Sequence, residues 1–184
     1  MKRPAAFLDR DGTIVTDSGF LRDPDAIEMI PGAPEALIRL RSAGFLIILV
    51  TNQSGIARGI LDWNAYRAVA AAIERRLDQA GARIDATYVC PHHPSVSGPC
   101  DCRKPGLASY QDAARRFDVD LAQSVWIGDR PTDLEPARAL GGRAVLVETG
   151  EGHRHRDEVR AAGFPVAADL GAAVALLLDD RGLY

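Results

Sequence analysis

The sequence predicts an α/β fold built on a parallel sheet with helices on both faces, and two observations carry that prediction. Short apolar runs alternate with longer stretches of helical periodicity, and each run ends in polar or glycine-rich residues, which is the pattern of repeated β-α units. The runs are also continuously apolar, as strands covered on both faces must be. The 184 residues suit one compact domain spanning 1–184, with room for a small insertion.

Taken in order, Ala5-Ala6-Phe7-Leu8 reads as the first buried strand, ending at Asp9. Residues Pro34 to Ala43 place Ala36, Leu37 and Leu40 at helical spacing, and Gly44 is positioned to stop the helix. Phe45 to Val50 is the second strand. Asp62 can cap a helix whose apolar stripe, Trp63, Tyr66, Val69, Ala70, Ile73 and Leu77, is read as core packing, with Gly81 at its end. Ile84 to Val89 is the third strand, Leu107 to Phe117 a helix, Ser124 to Gly128 a strand, Leu134 to Leu140 a helix and Ala144 to Val147 the fifth strand. A helix from Asp169 to Leu178 closes the pattern. Strands ending at Asp9, Thr51, Cys90 and Asp129 should bring these polar residues together, because ligands bind outside the carboxyl ends of an open parallel sheet.

Composition excludes several classes of function. Hydrophobic residues at 47% and charged residues at 26% describe an ordinary globular protein. The longest apolar runs, Phe45–Val50 and Ala172–Leu178, are far shorter than a bilayer span, so no membrane contact and a cytoplasmic location are expected. A formal charge of −3 argues against a nucleic-acid partner while leaving room for a local basic pocket. A monomer is expected.

Phe7-Leu8-Asp9-Arg10-Asp11-Gly12-Thr13 sets two carboxylates where a buried strand opens into a turn. By itself this is also a strand-end turn or a cap. Gly128-Asp129 and then Asp133 add two more acids to the same sheet edge, and such crowding calls for a compensating divalent cation. Oxygen-only ligands suit Mg2+, which keeps several waters and binds one or two carboxylates plus substrate phosphate. Thr51-Asn52-Gln53-Ser54-Gly55 presents hydroxyl, amide and backbone donors to an anion. Lys104 is one of two lysines among 22 basic residues, and a compact ammonium acting on a phosphoryl group is a reason for lysine at a place where arginine is otherwise used.

All three cysteines fall in Cys90-Pro91-His92-His93-Pro94 and Cys100-Asp101-Cys102. Three thiolates and one imidazole make a closed, structural Zn2+ site, with Cys90, His92, Cys100 and Cys102 as the favoured ligands and His93 as the alternative histidine. The metal would order loop 90–102 next to Arg103 and Lys104.

The order Asp-x-Asp-Gly-Thr, threonine after the second strand, later lysine and Gly-Asp-x-x-x-Asp resembles the haloacid dehalogenase superfamily of phosphatases. The resemblance implies that Asp9 is the nucleophile and that Asp11 protonates the leaving oxygen and then deprotonates water, with a raised pKa. It further implies that Thr51 and Lys104 hold the phosphoryl group, and that Asp9, Asp11 through its carbonyl and Asp129 bind Mg2+. Within the superfamily, Thr51 to Gly59 and Cys100 to Pro105 are similar to the heptose bisphosphate phosphatases, which remove the 7-phosphate of D-glycero-D-manno-heptose 1,7-bisphosphate. Asp17, Ser18, Gly19 and Phe20 then match the substrate segment, and Asn52, Gln53, Ser54, Arg103 and Arg130 the remaining substrate contacts. The zinc loop is shorter than in enterobacterial members, and Arg130 stands where they carry lysine. The roles of Arg58 and Asp133 stay open.

The expectation is therefore a Rossmann-like domain with a minimal cap and a zinc-bound loop, acting as an Mg2+-dependent phosphatase on a small phosphorylated sugar. A histidinol-phosphate phosphatase is the alternative within the same chemistry, and a catalytically silent phosphosugar-binding protein the alternative outside it. His153 and His155 read as solvated surface and Trp126 as core.

Overall fold

The computed structural model describes residues 2–179. Among these, six strands form one fully parallel sheet, β1 (Ala5–Leu8), β2 (Leu46–Asn52), β3 (Ala86–Cys90), β4 (Val125–Gly128), β5 (Arg143–Val147) and β6 (Val166–Ala167), in the order β3-β2-β1-β4-β5-β6. Helices α1 (Ala33–Ser42), α2 (Trp63–Gln79), α3 (Pro94–Ser97), α4 (Ala108–Phe117), α5 (Pro131–Leu140), α6 (Gly152–Ala161) and α7 (Leu170–Asp179) follow in chain order.

The two faces of β1 show why the strands are apolar throughout. Ala6 and Leu8 pack into a core with Leu37 of α1, Ile73 of α2 and Val174 of α7, whereas Ala5 and Phe7 join Tyr110 of α4, Leu134 of α5 and Val159 of α6. Successive residues point to opposite faces, so a strand sandwiched between helix layers has no position left for a polar side chain. Phe7 stacks on Trp126 with ring centres 4.9 Å apart, and Trp126 is core as expected. At roughly 25 cal/mol per Å2 of apolar area, burying one such side chain contributes about 1.5–3 kcal/mol.

Helix ends follow local chemistry. Asp62 caps α2 by accepting hydrogen bonds from the amides of Asn64 and Ala65 at 2.8 and 2.9 Å. On α2 the buried stripe is Tyr66, Val69, Ala72, Ile73 and Leu77, so Ala72 replaces the expected Ala70, and Trp63 lies at the exposed end. α5 begins three residues before the expected Leu134, because Pro131 suits a first-turn position and Asp133 accepts from the Arg130 amide at 3.0 Å. Four of the described elements have no counterpart in the sequence prediction: a short 3-10 helix at Pro24–Ala26, α3, α6 and the two-residue β6.

The chain builds β1, β2 and β3 in one direction and then returns to place β4 on the other side of β1. That reversal is the switch point at which an open α/β sheet leaves a crevice beyond its carboxyl ends.

Candidate active site and metal centres

Asp9 and Asp129 flank the switch point. The Asp9 amide donates to the Ile127 carbonyl at 3.0 Å, so the residue just beyond β1 remains tied to β4, and Asp129 follows β4 directly. Gly12 turns the β1 loop with φ +83°, and a Cβ there would lie 2.2 Å from Asp129 Oδ2. Only glycine allows both the turn and the approach. The segment after β5 closes the floor: Thr149 Oγ1 donates to the Gly12 carbonyl at 2.6 Å, and the Glu151 amide donates to Asp129 Oδ2 at 2.8 Å.

Lys104 reaches this edge from the loop beyond β3. Its buried ammonium is ion-paired with Asp9 Oδ1 and, at 2.7 Å, with Asp133 Oδ1. Burial works against the ammonium, but Asp133 and Asp9 outweigh it and raise the pKa above the ordinary lysine value. Asn52 fixes the Lys104 backbone, its side-chain oxygen accepting from the Lys104 amide at 3.1 Å and its amide donating to the Lys104 carbonyl at 3.4 Å. Gln53 is likewise engaged within the site, donating to Asp11 Oδ2 at 2.7 Å and Thr51 Oγ1 at 2.9 Å. Asn52 and Gln53, expected as substrate contacts, line the cavity and also bond Lys104, Asp11 and Thr51. Asp133 is both the cap of α5 and the second partner of Lys104.

Asp9, Asp129 and Asp133 each present a carboxylate oxygen within 4.8 Å of the others. Burial, then Asp9, pushes the Asp129 carboxyl up to about 8, and burial raises Asp9 as well. Asp129 Oδ1 is buried with no protein hydrogen-bond partner among the described residues. Crowded acids with an orphaned buried oxygen fit a divalent cation and fit Mg2+ by donor type. The Asp11 carboxylate belongs to a different group, held by Arg10 and Gln53, so Asp11 could join a cation only through its backbone. Burial raises its pKa, in the direction expected of a proton donor.

Cys90, His92, Cys100 and Cys102 converge at the end of β3. The sulfur-sulfur separations are 3.7, 3.3 and 3.6 Å, and His92 Nδ1 lies 3.7 Å from Cys90 Sγ and 3.2 Å from Cys102 Sγ. A disulfide needs about 2.05 Å, whereas Zn–S bonds of about 2.3 Å set tetrahedral edges near 3.8 Å, so the cluster fits zinc and not a bridge. The His93 ring accepts from the Ser95 amide at 3.2 Å, capping α3 away from the sulfurs.

A cavity of about 620 Å3 opens above the acids. Asp9, Asp11, Thr51, Asn52, Gln53, Ser54 and Lys104 line it, with Asp17, Gly19, Phe20, Arg103 and Arg130 at its sides, while Asp129 lies beneath and Ser18 is exposed outside it. Asp17 and Arg130 approach to 3.5 Å across the opening. The Phe20 ring rests on Gly55, where a Cβ would lie 2.4 Å from it, and the Arg58 guanidinium sits 5.5 Å from the ring centre. His155, expected on the solvated surface, lines the cavity from α6 beside Glu158, as does Glu135 from α5, whereas His153 is exposed.

Residues 101–173 match the HAD-hydrolase-like family model. The chain is 42% identical over 154 residues to the D-glycero-beta-D-manno-heptose-1,7-bisphosphate 7-phosphatase of Photorhabdus laumondii, covering 80% of this chain and 82% of that one. It is 40% identical over 178 residues to the enzyme of the same name from Bordetella bronchiseptica, covering 94% and 97%. The crystal structure of D,D-heptose 1,7-bisphosphate phosphatase from B. bronchiseptica, complexed with magnesium and phosphate, superposes with a TM-score of 0.86 at 39% identity, covering 96% of this chain and 99% of that one.

Proposed function

The chain belongs to the D-glycero-beta-D-manno-heptose-1,7-bisphosphate 7-phosphatase family of HAD-like hydrolases, and from that premise we propose that it removes the 7-phosphate of this sugar bisphosphate through a phosphoryl-enzyme on Asp9. The observation that carries the mechanism is the position of Lys104, a buried ammonium set directly against Asp9 and Asp133. Such a charge neutralises a phosphoryl group brought against an anionic nucleophile, which is the main demand of phosphoryl transfer.

In the first step an Asp9 carboxylate oxygen forms a bond to phosphorus, the bond to the sugar oxygen breaks, and Asp11 gives that oxygen its proton. In the second, a water oxygen bonds to phosphorus, its proton passes to Asp11, and the bond to Asp9 breaks to release inorganic phosphate. Dividing one hydrolysis into two displacements lowers each barrier, and the proton transfers contribute about 10²–10⁴-fold. Thr51, oriented by Gln53, and Lys104, oriented by Asn52 and Asp133, hold the phosphoryl oxygens. Mg2+ would be held by Asp9, Asp129 and the Asp11 carbonyl and would supply charge neutralisation there. Zinc on Cys90, His92, Cys100 and Cys102 would fix the loop carrying Arg103. Arg103 and Arg130, at the sides of the cavity, are the cations available to the phosphate that is not transferred.

The test is Mg2+-dependent phosphate release from both anomers of the heptose bisphosphate, beside histidinol phosphate and fructose 1,6-bisphosphate, with Asp9→Asn as control. Preference for the β-anomer, lost in the variant, supports the reading. Preference for histidinol phosphate would keep the mechanism and overturn the substrate, and no turnover of any ester would leave a binding protein.

A further inference from the structure

Arg10 is a buried arginine that the reaction as described does not use. Its side chain is 3% exposed and leaves the pocket for a narrow gap between β2 and α2 lined by Leu49, Tyr66 and Ile73. From there its guanidinium turns back on Asp11. Nε lies 3.1 Å from both Asp11 oxygens, and the second nitrogen lies 3.0 Å from Oδ1 and 2.8 Å from Oδ2. The Tyr66 ring stands 5.6 Å from the guanidinium carbon, and the remaining terminal nitrogen is buried without a partner among the described residues.

A core residue serving stability alone would not look like this. A buried ion pair gives little stability over apolar side chains of the same volume, and an unsatisfied buried nitrogen is a further cost. The arrangement does have a geometric consequence. Two guanidinium nitrogens, each within 3.1 Å of both oxygens, clasp the carboxylate crosswise at four contacts, which the single ammonium of a lysine cannot reproduce. With Gln53 bonded to Oδ2, the Asp11 carboxylate is held from two elements, and through Gln53 it is held in register with Thr51.

We propose that Arg10 is the positioning residue for proton transfer by Asp11, presenting that carboxyl to the leaving oxygen and then to the attacking water. The assignment rests on the phosphatase reading above. Its signature is dependence on the leaving group. A sugar alkoxide needs a proton as it departs, whereas 4-nitrophenolate leaves without one, so a misplaced Asp11 slows phosphorylation of Asp9 by the first ester and not by the second.

The experiment measures single-turnover phosphorylation by heptose 1,7-bisphosphate and by 4-nitrophenyl phosphate in wild type, Arg10→Lys and Arg10→Met, with melting curves, and repeats Arg10→Lys in an Asp11→Asn background. The expected result is a loss of about 100-fold with the sugar ester, as for a catalytic group displaced by about 1 Å, and little loss with the aryl ester. In the Asp11→Asn background Arg10→Lys should change nothing further. Equal losses on both esters, full activity in the variants, or the same loss in the Asp11→Asn background would overturn the assignment, as would variants that lose folding and activity together. A wild-type protein inert toward every ester would instead overturn the phosphatase reading on which the assignment stands.

Discussion

Lys104 and Asp133 form a fully buried ion pair at 2.7 Å, joining the loop beyond β3 to the first turn of α5. Both side chains are 4% exposed, so neither charge has water to fall back on. Removing one partner of an isolated buried pair costs about 3–5 kcal/mol, but Lys104 keeps Asp9 as a second partner, so loss of the Asp133 charge should cost less than that. Asp133→Asn is therefore expected to lower unfolding free energy by about 1–3 kcal/mol in urea titrations, and also to reduce turnover by leaving the Lys104 ammonium tied to Asp9 alone. Lys104→Arg keeps the charge but cannot fit between Asp9 and Asp133, and should lose activity by about 10²–10³-fold while remaining folded.

The acid trio makes cation binding pH-dependent. Burial and Asp9 raise Asp129 from 3.8 to about 8, so in the metal-free protein this carboxyl is neutral where an exposed aspartate is charged. A folded pKa above the unfolded one gives stability that is present below the unfolded value and lost as pH rises through the folded value. Protein in EDTA should accordingly melt at lower temperature as pH rises from about 5 to about 8, and Mg2+ should remove much of that fall. Apparent Mg2+ affinity should weaken over the same range as pH decreases, because protons compete for the site.

Gly12→Ala tests the floor of the site. The added methyl would sit 2.2 Å from Asp129 Oδ2 on a backbone with φ +83°. Strain alone costs about 1–2 kcal/mol, and displacing Asp129 should raise the Mg2+ concentration for half-maximal activity by about 10–100-fold. Magnesium titration of activity checks the second effect separately from thermal melting, which checks the first.

Zinc should be present at one ion per chain and should be lost in Cys100→Ser or on strong chelation. In the metal-free state burial pushes the Cys90 thiol up to about 12, so zinc must displace protons to bind there. Zinc uptake in weak buffer should release acid, and zinc affinity should fall as pH falls. Because Arg103 leaves the loop directly, the zinc-free protein should show a raised KM for the heptose bisphosphate with a smaller change in kcat.

Much of the site was legible in the sequence for local reasons. Asp9 follows four apolar residues and Asp129 three and a glycine, Lys104 stands nearly alone among arginines, and the cysteines share one segment. The rest depends on contacts between distant segments. The hydrogen bonds from the Gln53 amide to Asp11 and Thr51, and the approach of the exposed Arg58 guanidinium to the Phe20 ring, have no signal in the sequence. His155 was hidden because α6 is polar nearly throughout and buries only Gly152 and Val159, which leaves too few apolar positions to show a helical period. β6, at two residues, is too short to carry any pattern.

The most direct measurement of the central claim is acid quenching of Mg2+-dependent turnover of heptose 1,7-bisphosphate, followed by digestion and mass spectrometry. The account predicts one phosphoryl group on the peptide containing Asp9, absent in Asp9→Asn together with all turnover. Undiminished turnover by Asp9→Asn, or a phosphoryl group trapped on a different residue, would contradict it.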